Sequence, residues 1–355
     1  MSEHPPVETR PREAALEPEL PIIDTHHHLG EWRLPNAGQI LGLGRTRYLL
    51  PEFLDDVDTG HNIVATVMVD SDAMYRADGP PEMRYVGETE FALGQAAMSA
   101  SGLYGPTRVA HRIVGRIDFR RGDRSRDVLE AHAAAGNGRF RGVRQTAAWD
   151  ADSTVVGWMF DNSEGLYRDE EFRRGFAHLK ALDLSFEAFV LAPQLGDVVE
   201  LAQAFPDTRI VLNHTGQPVG VGGYQGRRDE LFDQWRRGIE AVARCENTVV
   251  KLGGIGTFIA GFASYWSRPP ATSAQLAEEY RPYIRACIEA FGPDRAMFES
   301  NYPLDAGAAT YPAVWNAFKI ITAEDSPAER ADLFAGTAAR FYRIDLPGTP
   351  AGTGA

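Results

Sequence analysis

The sequence predicts a single-domain α/β protein that folds as a (β/α)₈ TIM barrel. Short runs of β-branched and other apolar residues recur along the 355-residue chain, and amphipathic stretches separate most of them. Most of the runs are nearly continuous in apolar residues rather than alternating, as expected for parallel strands that are covered on both faces. The length suits one such barrel with terminal extensions.

Eight runs are predicted strands, taken in order along the chain: Pro21–Leu29, Asn62–Ser71, Arg112–Phe119, Phe140–Ala147, Ser185–Leu191, Arg209–Thr215, Thr248–Gly254 and Arg295–Pro303. The predicted helices are Phe91–Ser101, Ser125–Ala135, Asp169–Leu182, Gln194–Phe205, Asp229–Cys245, Ser273–Phe291, Tyr311–Ile321 and Pro327–Phe334. The alternation of strands and helices predicts that the barrel spans residues 21–345.

The two ends of the chain differ in composition from the barrel. Residues 1–20 are rich in Pro and Glu, and residues 346–355 consist mostly of Gly, Pro, Thr and Ala. Such segments bury little apolar surface, so we expect both to be flexible. The longer loops Gly30–Leu50, Asp72–Thr89, Ala148–Arg168 and Gly254–Thr272 follow predicted strands, on the side where barrel active sites lie.

Composition limits the classes of partner. The formal net charge is −13, which argues against nucleic acid or an anionic membrane and leaves a small-molecule substrate. Two cysteines, no signal-peptide-like segment and no apolar run of transmembrane length suggest a cytoplasmic protein. Barrels of this size often pair through outer helices, so a homodimer is one expectation.

Three consecutive histidines end the first predicted strand. Side chains alternate in direction along a strand, so Asp24, His26 and His28 are expected on one side, and Thr25 and His27 on the other. Two imidazoles spaced in this way can reach one metal ion or one substrate. His26 and His28 are therefore candidate catalytic or metal-binding residues, and His27 is a candidate substrate contact.

Other candidates lie at the ends of the sixth and eighth strands. His214 closes the apolar run Ile-Val-Leu-Asn-His, where it can meet His26 and His28. Glu299 and Asn301 share one parity in the eighth strand, so Glu299 faces the barrel mouth or pairs with a cation. Asp305 follows Pro303 and either joins the site or caps the next turn.

Two cations lie within predicted strands. Arg144 and Lys251 would be costly to bury unless each is paired with an anion. Each forms an internal salt bridge, or it binds a substrate carboxylate or a developing oxyanion. We favour substrate binding for Arg144 and leave the two roles of Lys251 open.

Three motifs together resemble a known family. His26-His27-His28, Asn213-His214-Thr215-Gly216-Gln217-Pro218 and Met297-Phe298-Glu299-Ser300-Asn301-Tyr302-Pro303 look like those of the amidohydrolase superfamily. The most similar branch is the amidohydrolase-related group that includes sugar lactonases and related lactone hydrolases. The resemblance covers residues 20 to 345. It implies a (β/α)₈ fold and a hydrolytic site that often holds one divalent metal, commonly zinc.

The same resemblance implies roles, and the sequence departs from the pattern at three positions. His26 and His28 would be metal ligands or substrate contacts, and His214 would orient water or polarise the carbonyl. A metal would have at most these three histidines as imidazole ligands. Asn301 replaces the aspartate that serves as base and ligand, and a neutral amide is a poor proton acceptor. Ala192 and Gln145 replace expected histidines. Three histidines and water can still bind zinc, so a site with one metal and a metal-free site are equally compatible with the sequence.

Hydrolysis of a small lactone or similar cyclic ester bearing a carboxylate is the leading hypothesis. With Asn301 in place of the base, Glu299, Asp305 or His214 would activate water. A decarboxylase or hydro-lyase on the same barrel is a second hypothesis. A non-catalytic ligand-binding barrel that lost its base is a third.

Overall fold

Eight parallel strands form a nearly closed barrel, which confirms the predicted fold. The computed structural model describes residues 13–32, 46–157, 159–160 and 162–345, so residues 1–12, 346–355 and most of the loop Gly30–Leu50 lie outside the described residues. Each strand pairs with the next one along the chain. The strands are β1 Pro21–His27, β2 Asn62–Val69, β3 Arg108–Arg116, β4 Phe140–Arg144, β5 Ser185–Ala188, β6 Ile210–Leu212, β7 Thr248–Leu252 and β8 Ala296–Phe298.

Helices surround the barrel and give the strands their second buried face. The longer ones are α1 Leu50–Val57, α2 Val86–Ala100, α3 Ser125–Ala135, α4 Glu170–Phe176, α5 Leu195–Ala204, α6 Arg228–Ala243, α7 Ser273–Phe291, α8 Tyr311–Ile321 and α9 Thr337–Tyr342. Shorter helices are Ser153–Val156, His178–Ala181, Ala263–Trp266 and Pro327–Ala331. Among the helices described, none is long and apolar enough to cross a bilayer.

The helix α1 is absent from the sequence-based prediction. It spans only eight residues and follows a loop, but it buries Leu50, Phe53, Leu54 and Val57. This is the i, i+3, i+4, i+7 spacing of an amphipathic helix. So short a repeat is easily missed when it directly adjoins a long loop.

Apolar side chains fill much of the barrel interior below the site. Ile23, Val67, Val211 and Met297 are buried there together with residues of the C-terminal helix α9, including Tyr342. The last helix therefore closes the end of the barrel opposite the carboxyl ends of the strands. This packing explains why the strand runs are apolar on both faces.

The barrel closes between β1 and the segment that follows β8. The predicted eighth strand ran to Pro303, but regular pairing with β7 ends at Phe298. The chain then turns across the barrel, where Asn301 N donates to His26 O (2.8 Å) and His28 N donates to Tyr302 O (2.8 Å). Residues 299–302 thus form a seam that joins the last strand to the first.

A bulge in β1 changes which side chains face inwards. Asp24 pairs with Thr66 and His27 pairs with Met68, so β1 contains one extra residue in this interval. Asp24 points outwards and accepts hydrogen bonds from Ser300 Oγ (2.6 Å) and Tyr311 OH (3.1 Å). The prediction that Asp24 shares a side with His26 and His28 is therefore wrong, because the bulge interrupts the alternation.

Residues 13–20 lie against α8 instead of extending freely. Asn316 Nδ2 donates to Ala14 O (2.9 Å), and Lys319 Nζ donates to the carbonyls of Leu16 (2.6 Å) and Glu17 (2.9 Å). This part of the predicted flexible N-terminal segment is held by two buried polar side chains of the helix. Its polar composition gave no indication of such partners.

Candidate active site

A cavity of about 130 Å³ opens at the carboxyl ends of the strands. Four of the predicted site residues line it, namely His28, Arg144, His214 and Asn301. Behind this lining lie His26, Glu299, Lys251 and Asp305, all of them buried. The barrel thus brings together candidates from strands one, four, six, seven and eight at one end. This is expected for residues at the carboxyl ends of barrel strands.

His214 and Glu299 form a buried pair across the barrel. The carboxylate oxygen Oε1 of Glu299 lies 2.8 Å from His214 Nδ1 and also accepts a hydrogen bond from the His214 backbone N–H at 3.0 Å. Both side chains are almost completely buried. Because a carboxylate accepts hydrogen bonds, the tautomer that fits this pair has its hydrogen on Nδ1 and its lone pair on Nε2. Because His214 lines the cavity, this lone pair is available to a bound molecule.

The backbone around His214 is shaped to permit this pair. His214 has a φ of +54°, outside the usual range of a non-glycine residue. Gly254, with a φ of +64°, approaches the ring so closely that a Cβ there would lie 1.8 Å from His214 Nδ1 and 2.8 Å from Glu299 Oε1. Only glycine satisfies both constraints. The sequence showed this position only as part of a glycine pair after β7.

His26 lies between anionic and cationic groups. Arg144 Nη1 is 3.2 Å from His26 Nε2, and Glu299 Oε2 is 2.9 Å from His26 Nδ1. Since arginine can only donate, Nε2 is the acceptor and Nδ1 carries the hydrogen. Burial and the nearby cation of Lys251 hold the pKa of His26 well below its ordinary value. The ring is therefore neutral at pH 7.

The donor types of His26, His214 and Glu299 suit a divalent cation. One ligand atom of each lies within 4.8 Å of the other two. Two imidazoles and a carboxylate are a zinc donor set. A metal on Nδ1 of His26 would, however, move the ring hydrogen towards Arg144 and would meet Lys251 Nζ, 3.5 Å from Nδ1. We therefore expect weak affinity.

His28 is not part of this donor set, although the sequence grouped it with His26 and His214. Its Nδ1 lies 2.9 Å from Val69 O, and its Nε2 lies 3.3 Å from Asn301 Oδ1. Asn301 Nδ2 in turn donates to Asp305 Oδ1 (2.7 Å), and Gly256 N donates to Asp305 Oδ2 (2.9 Å). Burial raises the pKa of Asp305 to about 8. Asp305 holds Asn301 from behind, and it does not line the cavity.

Arg144 is paired, as its burial requires. Its Nε donates to Asp70 Oδ1 (2.8 Å), and Nη2 donates to Asp70 O. With Nη1 on His26, three of its five N–H groups are used, which leaves two for a bound molecule. Arg116 also lines the cavity, with Nη1 3.4 Å from Asp72 Oδ1. Arg116 was not among the predicted site residues, because it is one of several arginines in the third strand.

Two of the predicted substrate contacts lie away from the cavity. Lys251 Nζ donates to Glu187 Oε2 (2.6 Å) in the barrel interior, where burial lowers the pKa of Lys251. This contact corresponds to the salt-bridge alternative for Lys251. His27 points to the helices, where its ring stacks on Phe53 (centroids 4.2 Å apart) and Nε2 lies 2.7 Å from Thr66 Oγ1. The structure does not bring His27 to the other histidines.

Known proteins resemble the chain over almost its whole length. The protein y4mH of Sinorhizobium fredii is 33% identical over 92% of this chain and 99% of its own. The L-fucono-1,5-lactonase of Burkholderia multivorans is 27% identical over 92% and 97%, respectively. Two crystal structures of an amidohydrolase from the same organism, one with bound HEPES and one with bound zinc, are each 26% identical. Both cover 91% of this chain and 99% of their own, with TM-scores of 0.69 and 0.66.

The family model described as "Amidohydrolase" matches residues 23–344. This match confirms the resemblance drawn from the three motifs, and it covers the barrel with both histidine-bearing strand ends. The chain belongs to the amidohydrolase family and is a hydrolase.

Proposed function

We propose that the protein hydrolyses a small lactone, with His214 as the general base. The observation that carries this proposal is the His214–Glu299 pair, which leaves one imidazole nitrogen free at the cavity. A neutral imidazole oriented by a buried carboxylate is an effective base for water near pH 7. Glu299 supplies the orienting charge, so the presence of Asn301 in place of an aspartate does not remove base catalysis.

In the first step a water molecule loses a proton to His214 Nε2 as its oxygen bonds to the lactone carbonyl carbon. Glu299 stabilises the imidazolium that results, because its carboxylate already accepts the Nδ1 hydrogen. The carbonyl oxygen becomes an oxyanion. The two remaining N–H groups of Arg144 are the donors best placed to stabilise it in a water-poor site.

In the second step the bond between the carbonyl carbon and the ring oxygen breaks. His214 returns its proton to the departing ring oxygen, so the product is a hydroxy acid. Its carboxylate remains beside Arg144 and Arg116. Since Asp70 and Asp72 balance these two arginines, a neutral lactone suits the site better than the carboxylate-bearing one that the sequence suggested. A divalent cation held by His26, His214 and Glu299 would polarise the carbonyl, but it would use atoms on which the role of His214 as base depends.

The proposal is tested with a panel of five- and six-membered lactones, with proton release followed by a pH indicator. We expect His214→Asn and Glu299→Gln each to lower kcat/KM by about 100-fold or more, since each removes part of the base. His178→Asn, on an outer helix, is the matched control and should keep wild-type activity. Wild-type rates in His214→Asn, or release of carbon dioxide from aromatic carboxylates without lactone hydrolysis, would contradict the proposal.

A further inference from the structure

We infer that the substrate carries an apolar group instead of the hydroxyls of a sugar lactone, an inference that rests on the proposed function. The cavity is polar at the strand ends and apolar in the part formed by the loops that follow the strands. Six large apolar side chains line it: Met159, Phe160, Phe189, Phe258, Ile259 and Leu304. A molecule whose reacting carbonyl reaches His214 therefore places its other end against these side chains.

These six side chains, here called the apolar wall, form a surface that directly adjoins the His214–Glu299 pair. The Phe189 ring lies 5.1 Å from the His214 ring, edge to face, and Phe160 packs edge to face on Phe189 at 5.7 Å. Trp32 adds a ring whose one polar atom is already used, because its Nε1 donates to Ser71 O (3.1 Å). A substituent on the lactone ring thus leaves water for contact with aromatic carbon, which favours alkyl or aryl groups.

Three polar side chains of the lining, those of Ser71, Thr146 and Gln217, already use hydrogen-bond donors within the protein. The Thr146 hydroxyl donates to Phe189 O (3.3 Å), and Gln217 Nε2 donates to Pro218 O (3.2 Å). The hydroxyl of Ser71 donates to Glu88 Oε1 (3.0 Å). A sugar hydroxyl that is buried here without a partner loses its hydrogen bonds to water. A hydroxyl that meets these occupied groups or the apolar side chains therefore weakens binding, while each buried methylene strengthens it.

The inference is tested with matched six-membered lactones: unsubstituted δ-valerolactone, δ-decalactone with its pentyl chain, and glucono-1,5-lactone. Each kcat/KM is divided by the rate constant of uncatalysed hydroxide hydrolysis, because the sugar lactone is intrinsically more reactive. We expect δ-decalactone to exceed δ-valerolactone by about tenfold or more and glucono-1,5-lactone by a larger factor. An equal or higher normalised value for the sugar lactone would overturn the inference.

A wall variant links the preference to the residues named. Phe160→Gln should lower kcat/KM for δ-decalactone by about tenfold while changing that for δ-valerolactone by less than about twofold. Phe341→Gln, a half-buried phenylalanine at the opposite end of the barrel, is the control and should preserve the preference. Equal losses on both lactones in Phe160→Gln would contradict an apolar subsite.

Binding of the ring-opened acids separates this inference from the proposed function. Calorimetric titration with 5-hydroxydecanoate and with gluconate reports on the cavity without any turnover. Tighter binding of 5-hydroxydecanoate, lost in Phe160→Gln, supports the apolar subsite even if no lactone is hydrolysed, in which case only the hydrolytic proposal fails. Tighter binding of gluconate overturns the subsite whatever the lactone rates are.

Discussion

At the scale of single residues, the arrangement of His214 depends on the absence of a side chain at Gly254. The ring and the Glu299 carboxylate occupy the space that a Cβ at this position would need. The place of His214 at the mouth of the barrel was predictable from its position at a strand end. The glycine was not, because its importance comes from a contact between β7, β6 and β8 that exists only in the folded barrel.

We predict that Gly254→Ala abolishes lactone hydrolysis while the fold is retained. The methyl group would displace the His214 ring from Glu299, and the positive φ would add strain of about 1 kcal/mol. Measurement of kcat/KM reports the activity, and far-ultraviolet circular dichroism shows whether the fold is retained. Gly196→Ala on α5, where an added Cβ meets nothing within 4 Å, should remain fully active. Retained activity in Gly254→Ala would show that the pair tolerates another geometry.

Metal removal tests the two cations that flank His26. Arg144 and Lys251 would repel a third cation, so we predict that prolonged treatment with a chelator leaves kcat/KM within about twofold of its original value. Metal content before and after treatment is measured by mass spectrometry. A loss of activity that zinc restores would show that the donor set is occupied in the working enzyme.

At the scale of elements, the strands and most helices were predictable because their apolar runs are long and are bounded by loops. The residues at which the strands end were less predictable. The predicted eighth strand continued to Pro303, but the chain leaves β7 after Phe298 to close the barrel against β1. The bulge in β1 was also unreadable, because a one-residue insertion leaves no mark in a short polar sequence.

The turn after β8 provides a pH-dependent contribution to stability through Asp305. Burial raises its pKa to about 8, so the folded protein keeps this proton where the unfolded chain, with a pKa near 3.8, has lost it. The folded state therefore binds more protons between these values, and stability falls as pH rises. The contribution of this group changes by up to about 1.4 kcal/mol per pH unit.

We predict that Asp305→Asn reduces the loss of stability between pH 5 and pH 8, because the amide cannot ionise but still donates and accepts hydrogen bonds. Urea unfolding at pH 5, 6.5 and 8 gives the free energies. Asp78→Asn, in an exposed loop, is the control and should follow the wild-type slope. An unchanged slope in Asp305→Asn would mean that Asp305 does not carry the proton in the folded state.

At the scale of the whole molecule, the barrel is closed by contacts between distant parts of the chain. The N-terminal residues 13–20 bind α8, and the C-terminal helix α9 fills the lower end of the barrel. The sequence showed the fold class through its repeated pattern. It did not show these attachments, because they depend on isolated polar side chains such as Asn316 and Lys319.

Deletion of residues 1–20 should destabilise the protein by about 2–4 kcal/mol. It removes four hydrogen bonds to Asn316 and Lys319, each worth on the order of 1 kcal/mol, and exposes both side chains. Deletion of residues 1–12 retains these bonds and serves as the control. Urea unfolding gives the free energy of unfolding of the two deletion variants. Equal stability of the two deletion variants would show that the segment contributes nothing.

The seam between β1 and residues 299–302 has a consequence for how the protein unfolds. His26 and Glu299 both belong to it, and among the described residues two backbone hydrogen bonds, Asn301 N to His26 O and His28 N to Tyr302 O, join its two sides. Under mild denaturation this is where the ring of strands would part first, and the distance from Glu299 to His214 would change before any helix unwinds. Turnover would then act as a reporter of barrel closure, and we expect activity to disappear at a lower urea concentration than helical circular dichroism.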